Sequence, residues 1–223
     1  MERAILFKEW IKTRRVFAMA LILTLAMTAY VILMMNRLIE LKGVDHLWLI
    51  MLMKDNSFID ILKYVPVAVG LAVAVAQMVP EMVQKRLKLT LHLPYPQLRM
   101  VALMLLTGLL ELLVIYAVQI LAIWIYDMSI LPVELVGRVL LTALPWYMAG
   151  FTAYLFATAV CLEGTWYMRT ILILLGVAVL FIFFLQPAPE AYNGMICVMF
   201  VFMFLLTILS FGSIMRFKEG RQD

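Results

Sequence analysis

The sequence predicts an all-α integral membrane protein with six transmembrane helices preceded by an N-terminal amphipathic interfacial helix. Two observations support this prediction. Of the 223 residues, 66% are hydrophobic and 14% are charged, whereas roughly a quarter of the residues in a soluble domain are charged. The apolar residues also fall into runs of the length needed to cross about 30 Å of hydrocarbon, which is ~20 helical residues. We therefore expect one transmembrane domain over residues 1–223.

The first fifteen residues mix basic and apolar side chains and predict a helix that lies along the headgroups. Such a helix would have one apolar and one basic face, which is typical of the membrane interface. The residues assigned to this interfacial helix are Lys8, Trp10, Lys12, Arg14 and Arg15. The apolar run that follows is too long for the core of a signal peptide and has no small-x-small cleavage site, so we expect it to be retained.

Six apolar segments follow, and each predicts a transmembrane helix. The predicted spans are residues 16–35, 61–79, 100–126, 139–161, 170–185 and 194–215. Between the first two spans, residues 46–53 are apolar but too few to cross a membrane. A re-entrant or interfacial helix and a packed loop segment are both compatible with this stretch.

The basic residues outside the spans predict the orientation. Thirteen of the 18 Lys and Arg residues lie on the side that holds both termini, residues 80–99 and the turn at 162–169. Because Lys and Arg accumulate in cytoplasmic loops, we expect both termini in the cytoplasm and a multi-pass protein of the cell membrane, of the bacterial inner-membrane type. Topology thus explains the formal charge of +4, and we expect membrane lipids and no nucleic acid as partners.

The sequence contains no catalytic motif. There is no G-x-x-x-x-G-K-[ST], no G-x-S-x-G and no H-E-x-x-H. The two histidines, His46 and His92, fall on opposite sides of the predicted membrane. Cys161 and Cys197 lie in apolar runs without the spacing of metal ligands. We therefore expect no enzyme, and no cofactor or metal held by this chain.

Glu111 is the most informative polar residue within the predicted spans. It lies eleven residues after the start of the third span, which is roughly 16 Å along the helix. A carboxylate at that depth costs about 3 kcal/mol unless it is paired, neutralised or hydrated. Thr107 would share its helix face, and Gln119 and Gln77 are the other polar candidates. Two interpretations stay open: a polar lining for a translocation path or proton site, and a protonated Glu111 hydrogen-bonded across an interface.

Residues 79–99 form a basic segment between the second and third spans. Leucines alternate with polar residues in it and a proline ends it, a pattern that predicts a short, half-buried element at the inner membrane surface. The residues of interest are Glu81, Lys85, Arg86, Lys88, Leu89, Leu91, Leu93 and Pro94.

This segment, with the six spans and the basic N-terminal helix, resembles the membrane subunits of the type-2 ABC exporter permease family. Many members have a glutamate at the end of span two, followed by alternating leucines and a Leu-Pro. The residues in that register are Glu81, Leu87, Leu89, Leu91, Leu93 and Pro94. Lys85 and Arg86 stand where the family more often has Gly-Thr. The N-terminal Lys8-Glu9-Trp10 is also similar to the first helix of the family.

The resemblance implies a permease subunit that works as a dimer, with a second copy of itself or a homologous permease. It also implies a separate cytoplasmic ABC ATP-binding subunit, which would hold ATP and Mg and would dock on the basic segment. Other function classes stay open on the residues alone: a substrate-capturing membrane subunit of a vitamin-type importer, an ion-coupled carrier that uses Glu111, and a membrane scaffold.

Overall fold

The computed structural model describes residues 2–53, 58–83, 96–186 and 188–218. These ranges contain seven α-helices: α1 (Glu2–Lys42), α2 (Val44–Met53), α3 (Val65–Val83), α4 (Gln97–Ile130), α5 (Val133–Leu162), α6 (Trp166–Ile182) and α7 (Ile196–Lys218). Two short 3-10 helices, Phe58–Leu62 and Asn193–Met195, precede α3 and α7. Since none of the described residues forms a strand, the predicted all-α class is confirmed.

Four helical segments in the described ranges are long and apolar enough to cross a membrane. They are Glu2–Lys42, Phe58–Val83, Leu98–Ile130 and Val133–Leu162. The fifth predicted span falls on a shorter apolar helix, Trp166–Ile182. The sixth falls on α7, whose 23 residues continue beyond the apolar stretch Asn193–Ile208. The prediction of six spanning helices is therefore corrected to seven helices, four of which have the length and hydropathy of a span. The 17 residues of α6 reach only ~25 Å, less than the ~30 Å of a hydrocarbon layer.

Helix α1 is continuous over 41 residues. The predicted boundary between an interfacial helix at residues 1–15 and a first span at 16–35 is absent, because no glycine or proline interrupts residues 2–42. The helix ends at Gly43, whose φ of 81° is the left-handed conformation that closes many helices. At 1.5 Å per residue α1 measures about 60 Å, so it is roughly twice as long as a hydrocarbon layer is thick.

Helix α2 resolves the open question about residues 46–53, since this stretch is helical within Val44–Met53 and is not a loop. It follows α1 after the single residue Gly43 and packs against it. Arg138 of α5 also donates a hydrogen bond from Nη1 to the carbonyl oxygen of Met51, at 3.3 Å.

Helix α5 is the centre of the described bundle, with α3, α4, α6 and α7 packed around it. Its contact with α3 is the most extensive and is centred on two glycines. A Cβ atom at Gly70 would collide with the carbonyl oxygen of Gly150. At the same level, Tyr116 of α4 donates a hydrogen bond to the carbonyl oxygen of Pro66, at 2.8 Å. Small residues at helix crossings of membrane proteins permit this close approach of backbones.

We expect Gly70→Ala to destabilise the fold, because the new methyl group would push the backbones of α3 and α5 apart. Overpacking of this kind costs about 1–3 kcal/mol. Gly137→Ala is the matched control, since nothing lies within 4 Å of a Cβ atom there and alanine is the better helix former by about 1 kcal/mol. Thermal unfolding of the detergent-purified chain should give a lower Tm for Gly70→Ala and an equal or higher one for Gly137→Ala. Equal midpoints for Gly70→Ala and the unmodified chain would contradict the close crossing.

Candidate functional site

A cluster of buried polar side chains lies where α1, α4 and α5 meet the C-terminal end of α3. We call it the polar cluster; its members are Lys8, Glu9, Lys12, Thr13, Gln77, Glu81, Thr107, Glu111 and Tyr154. Apart from the two lysines, every member is buried. Polar groups at this depth are stable only when they have hydrogen-bond or ionic partners, so the contacts within the cluster decide what it can do.

Ion pairs connect α1 to the end of α3. The Lys12 ammonium lies 2.7 Å from Glu9 Oε2 and 2.8 Å from Glu81 Oε1, and Lys8 Nζ lies 2.9 Å from the same Glu81 oxygen. The two glutamate side chains are 0% exposed and that of Lys12 is 10% exposed. Lys8, Glu9 and Lys12 share one face of α1 because they are spaced by three and four residues. The first helix is thus bound to α3 by charges that are largely withdrawn from solvent.

The Gln77 amide joins four helices. Its Nε2 donates to the carbonyl oxygen of Met104 in α4 at 2.6 Å and lies 3.2 Å from Glu9 Oε2 in α1. Its Oε1 accepts a hydrogen bond from the Tyr154 hydroxyl of α5 at 2.7 Å. Gly108 leaves the room for this arrangement, because a Cβ atom there would lie 2.6 Å from Gln77 Oε1 and would overlap the Tyr154 hydroxyl.

Glu111 meets α1 through Thr13. Thr13 Oγ1 forms a hydrogen bond with Glu111 Oε1 and lies 3.0 Å from the carbonyl oxygen of Glu9. One turn earlier on α4, the Thr107 hydroxyl donates to the carbonyl oxygen of Met104 at 2.7 Å and lies 3.3 Å from Gln77 Nε2. Within the described part of the chain, the second carboxyl oxygen of Glu111 is buried and has no hydrogen-bond partner.

The polar residues singled out in the predicted spans separate into two groups. Gln77, Thr107 and Glu111 come together in the polar cluster. Gln119 lies two turns further along α4, where its Nε2 donates to Thr28 Oγ1 of α1 at 3.2 Å. Gln119 is therefore a second contact between α1 and α4, separate from the cluster.

The basic residues assigned to an interfacial face also divide. Lys12 is directed inward to Glu9 and Glu81, and Lys8 is 34% exposed at the edge of the same cluster. Trp10, Arg14 and Arg15 are exposed. Only part of the predicted basic face of α1 is therefore on the protein surface.

Of the residues predicted to couple to an ATPase, the structure describes Glu81, which is buried two residues before the end of α3. The remaining seven lie outside the described residues: Lys85, Arg86, Lys88, Leu89, Leu91, Leu93 and Pro94. Glu81 is therefore the residue of this group whose contacts can be described.

Sequence reasoning did not assign Glu9, Thr13 and Tyr154 to the site. Glu9 had a detectable signal, since it stands three residues before Lys12 and pairs at this spacing are common on helices. Thr13 and Tyr154 had none, because their partners Glu111 and Gln77 lie 98 and 77 residues away in the sequence.

Two cavities lie away from the polar cluster. One, of about 160 Å³, is at the opposite end of α3 and is lined by Asp60, Lys63 and Glu190 among others. The other is an apolar groove of about 500 Å³ between α4, α5 and α7. In the described ranges, no group of three or more His, Cys, Asp or Glu side chains is placed to hold a metal ion.

Comparison with protein-family models, with curated proteins and with solved structures finds no match to this chain. The described fold defines the class: an all-helical protein with four helices long and apolar enough to span a membrane. The polar cluster is therefore the structural basis for the function proposed below.

We expect Lys12→Met to destabilise the bundle, because it leaves Glu9 and Glu81 buried with only Lys8 nearby. Removing one partner of a buried ion pair costs about 3–5 kcal/mol. Arg14→Met is the matched control, since Arg14 is an exposed basic residue of the same helix. Thermal unfolding in detergent should separate the two variants, with a clear loss of Tm for Lys12→Met alone. Similar losses for both variants would show that the buried ion pairs do not hold α1 on α3.

Proposed function

We propose that this chain is the transmembrane permease subunit of an ATP-driven ABC exporter. It would work as a dimer with separate cytoplasmic ATP-binding subunits that carry ATP and Mg. It would lie in the cell membrane with both termini in the cytoplasm. The observation that supports this proposal is the position of Glu81: near the start of the basic segment, it is ion-paired with Lys8 and Lys12 of the first helix.

A force applied to residues 84–95 would enter α3 at Val83, two residues after Glu81. Pro80 lies just before Glu81 inside the helix and removes one backbone hydrogen bond, so the last turn of α3 is intrinsically weak. The ion pairs that Glu81 forms with Lys8 and Lys12 stabilise the contact of this turn with α1. A push on the segment would therefore move α1 together with α3 and would not simply bend the end of α3.

The movement would continue into the other helices through Gln77. This residue lies one turn before Glu81 and its amide contacts α1, α4 and α5. Packed helices move as rigid bodies between discrete arrangements. A force on the basic segment would thus be transmitted to four helices together. A permease driven by a separate ATPase requires this property.

Two other functions lead to different results for the purified chain. A substrate-capturing subunit of a vitamin-type importer would bind its ligand alone, and titration calorimetry would detect this. An ion-coupled carrier would transport without any ATPase, and Glu111→Gln would abolish the pH dependence of that transport. The buried carboxyl group of Glu111 between α1 and α4 is the feature that favours the carrier as the second candidate.

We expect the triple charge reversal Lys85→Glu, Arg86→Glu and Lys88→Glu to abolish co-purification with the ATP-binding subunit, because docking would depend on this basic surface. The control reverses an equal number of charges on the predicted outer side, at Arg37, Lys42 and Lys54, and should leave the complex intact. Affinity purification followed by an ATPase assay measures both. A complex of normal composition and activity from the first variant would rule out docking at this segment.

Glu81→Gln tests transmission separately from docking. Glu81 is buried and the variant keeps Lys85, Arg86 and Lys88, so the ATP-binding subunit should still co-purify. Its permease-dependent ATP hydrolysis should fall about tenfold, which corresponds to ~1.4 kcal/mol, because the end of α3 is no longer ion-paired with α1. Glu134→Gln, at an exposed glutamate of α5, should hydrolyse ATP at the normal rate. A normal rate for Glu81→Gln would exclude the Glu81 ion pairs from transmission.

A further inference from the structure

The contacts of Thr13 constrain the protonation of Glu111. A threonine hydroxyl has one hydrogen to donate and can also accept. Thr13 Oγ1 lies 3.0 Å from the carbonyl oxygen of Glu9, four residues earlier, and is also hydrogen-bonded with Glu111 Oε1. A carbonyl oxygen can only accept a hydrogen. If Thr13 donates to Glu9, the hydrogen in the contact with Glu111 must come from Glu111.

We propose that Glu111 is a buried proton-binding site. Its carboxyl group is the neutral acid and donates its O–H to Thr13 Oγ1, while Thr13 donates to the carbonyl oxygen of Glu9. The ligand is a single proton, and the site is formed by α1 and α4 together. This inference does not depend on the proposed function, because it concerns contacts within this chain alone.

The charges around Glu111 favour the neutral form. The titratable groups close to it are Glu9 of α1 and the Tyr154 hydroxyl of α5. Glu9 is in turn part of the ion-pair network with Lys8, Lys12 and Glu81. The two lysines pair with Glu9 and Glu81, and neither forms an ion pair with Glu111 in the described structure. An ionised Glu111 would be a third carboxylate against two ammonium groups, close enough to Glu9 to be repelled by it.

The second carboxyl oxygen of Glu111 favours the same conclusion. Glu111 Oε2 is buried and no described donor reaches it. Glu9 and Glu81 each have a similar oxygen, but both are ion-paired with Lys12, whereas Glu111 has no ion pair among the described residues. A buried carboxylate with an unsatisfied oxygen costs far more than a neutral acid, whose carbonyl oxygen carries only a partial charge. One proton on Glu111 therefore satisfies the hydrogen bond to Thr13 and balances the charge of the described cluster.

Release of the proton would change the contact between α1 and α4. Glu111 could then only accept, and Thr13 would have to give up its bond to Glu9 to keep the contact. Two other polar contacts join α4 to α1 among the described residues: Gln119 with Thr28, and the Tyr126 hydroxyl, which donates to Asn36 Oδ1 at 2.6 Å. Proton release would therefore loosen α1 from α4 at the polar cluster and leave the contact at Gln119 in place.

Infrared spectroscopy tests the site directly. The full chain is produced with glutamate labelled at its side-chain carboxyl carbon, so that signals from Asp127, another buried acid of α4, are separated by isotope. Near neutral pH we expect a band from a protonated glutamate in the unmodified chain. Glu111→Gln should remove this band and Asp127→Asn should retain it. No protonated glutamate in the unmodified chain, or a band that persists in Glu111→Gln, would overturn the proposal.

Thr13→Val keeps the test decisive even if Glu111→Gln fails to fold. Valine has nearly the shape of threonine but offers no hydroxyl acceptor. The labelled band should remain in this variant and move to the position of a carboxyl group without that hydrogen bond. Thr158→Val, at a threonine of α5 that donates to the carbonyl oxygen of Tyr154, is the matched control and should leave the band unshifted. An unshifted band in Thr13→Val would contradict the assignment of the donor.

Discussion

The fold at this end of the bundle depends on one ammonium group held between two buried carboxylates. Lys12 lies 2.7 Å from Glu9 and 2.8 Å from Glu81, and neither glutamate side chain is exposed. Withdrawing such charges from water costs several kcal/mol each, and only close pairing offsets that cost. Separating the two carboxylates from Lys12 would require all three groups to be rehydrated, so close pairing fixes the start of α1 on the end of α3.

The opposite half of α3 is held by contacts of a different kind. At Gly70 and Gly150 the backbones of α3 and α5 approach so closely that a Cβ atom does not fit, and the Tyr116 hydroxyl is bonded to the backbone at Pro66. These contacts are short-ranged and fix the position of the crossing. The position of α3 is therefore fixed at two levels, by backbone packing at this crossing and by the ion pairs at Glu81.

The sequence was sufficient to predict those features that depend on local composition. The apolar runs predicted the helices, and the polar residues within them, Gln77, Thr107 and Glu111, were identified because polar groups in a membrane are expensive. The contacts that join residues distant in the sequence were beyond prediction. Lys12 and Glu81, for example, are 69 residues apart. The basic residues of α1 were predicted to lie on a headgroup surface because cations usually do. Lys12 departs from that rule because Glu81 of α3 supplies a carboxylate for it within the bundle.

Glu81 and Glu111 contact neighbouring residues of α1. Lys12 pairs with Glu81 and Glu9, while Thr13 contacts the carbonyl oxygen of Glu9 and the carboxyl group of Glu111. With a proton on Glu111, the two lysines balance Glu9 and Glu81. Without it, Glu111 would be a third carboxylate close to Glu9, with no additional cation in the described cluster. Because such coupling between two binding events is reciprocal, a load that pulls Glu81 away from Lys12 must in turn change the affinity of Glu111 for its proton. The proposed proton site and the proposed point of force transmission would thus be coupled through the adjacent residues Lys12 and Thr13.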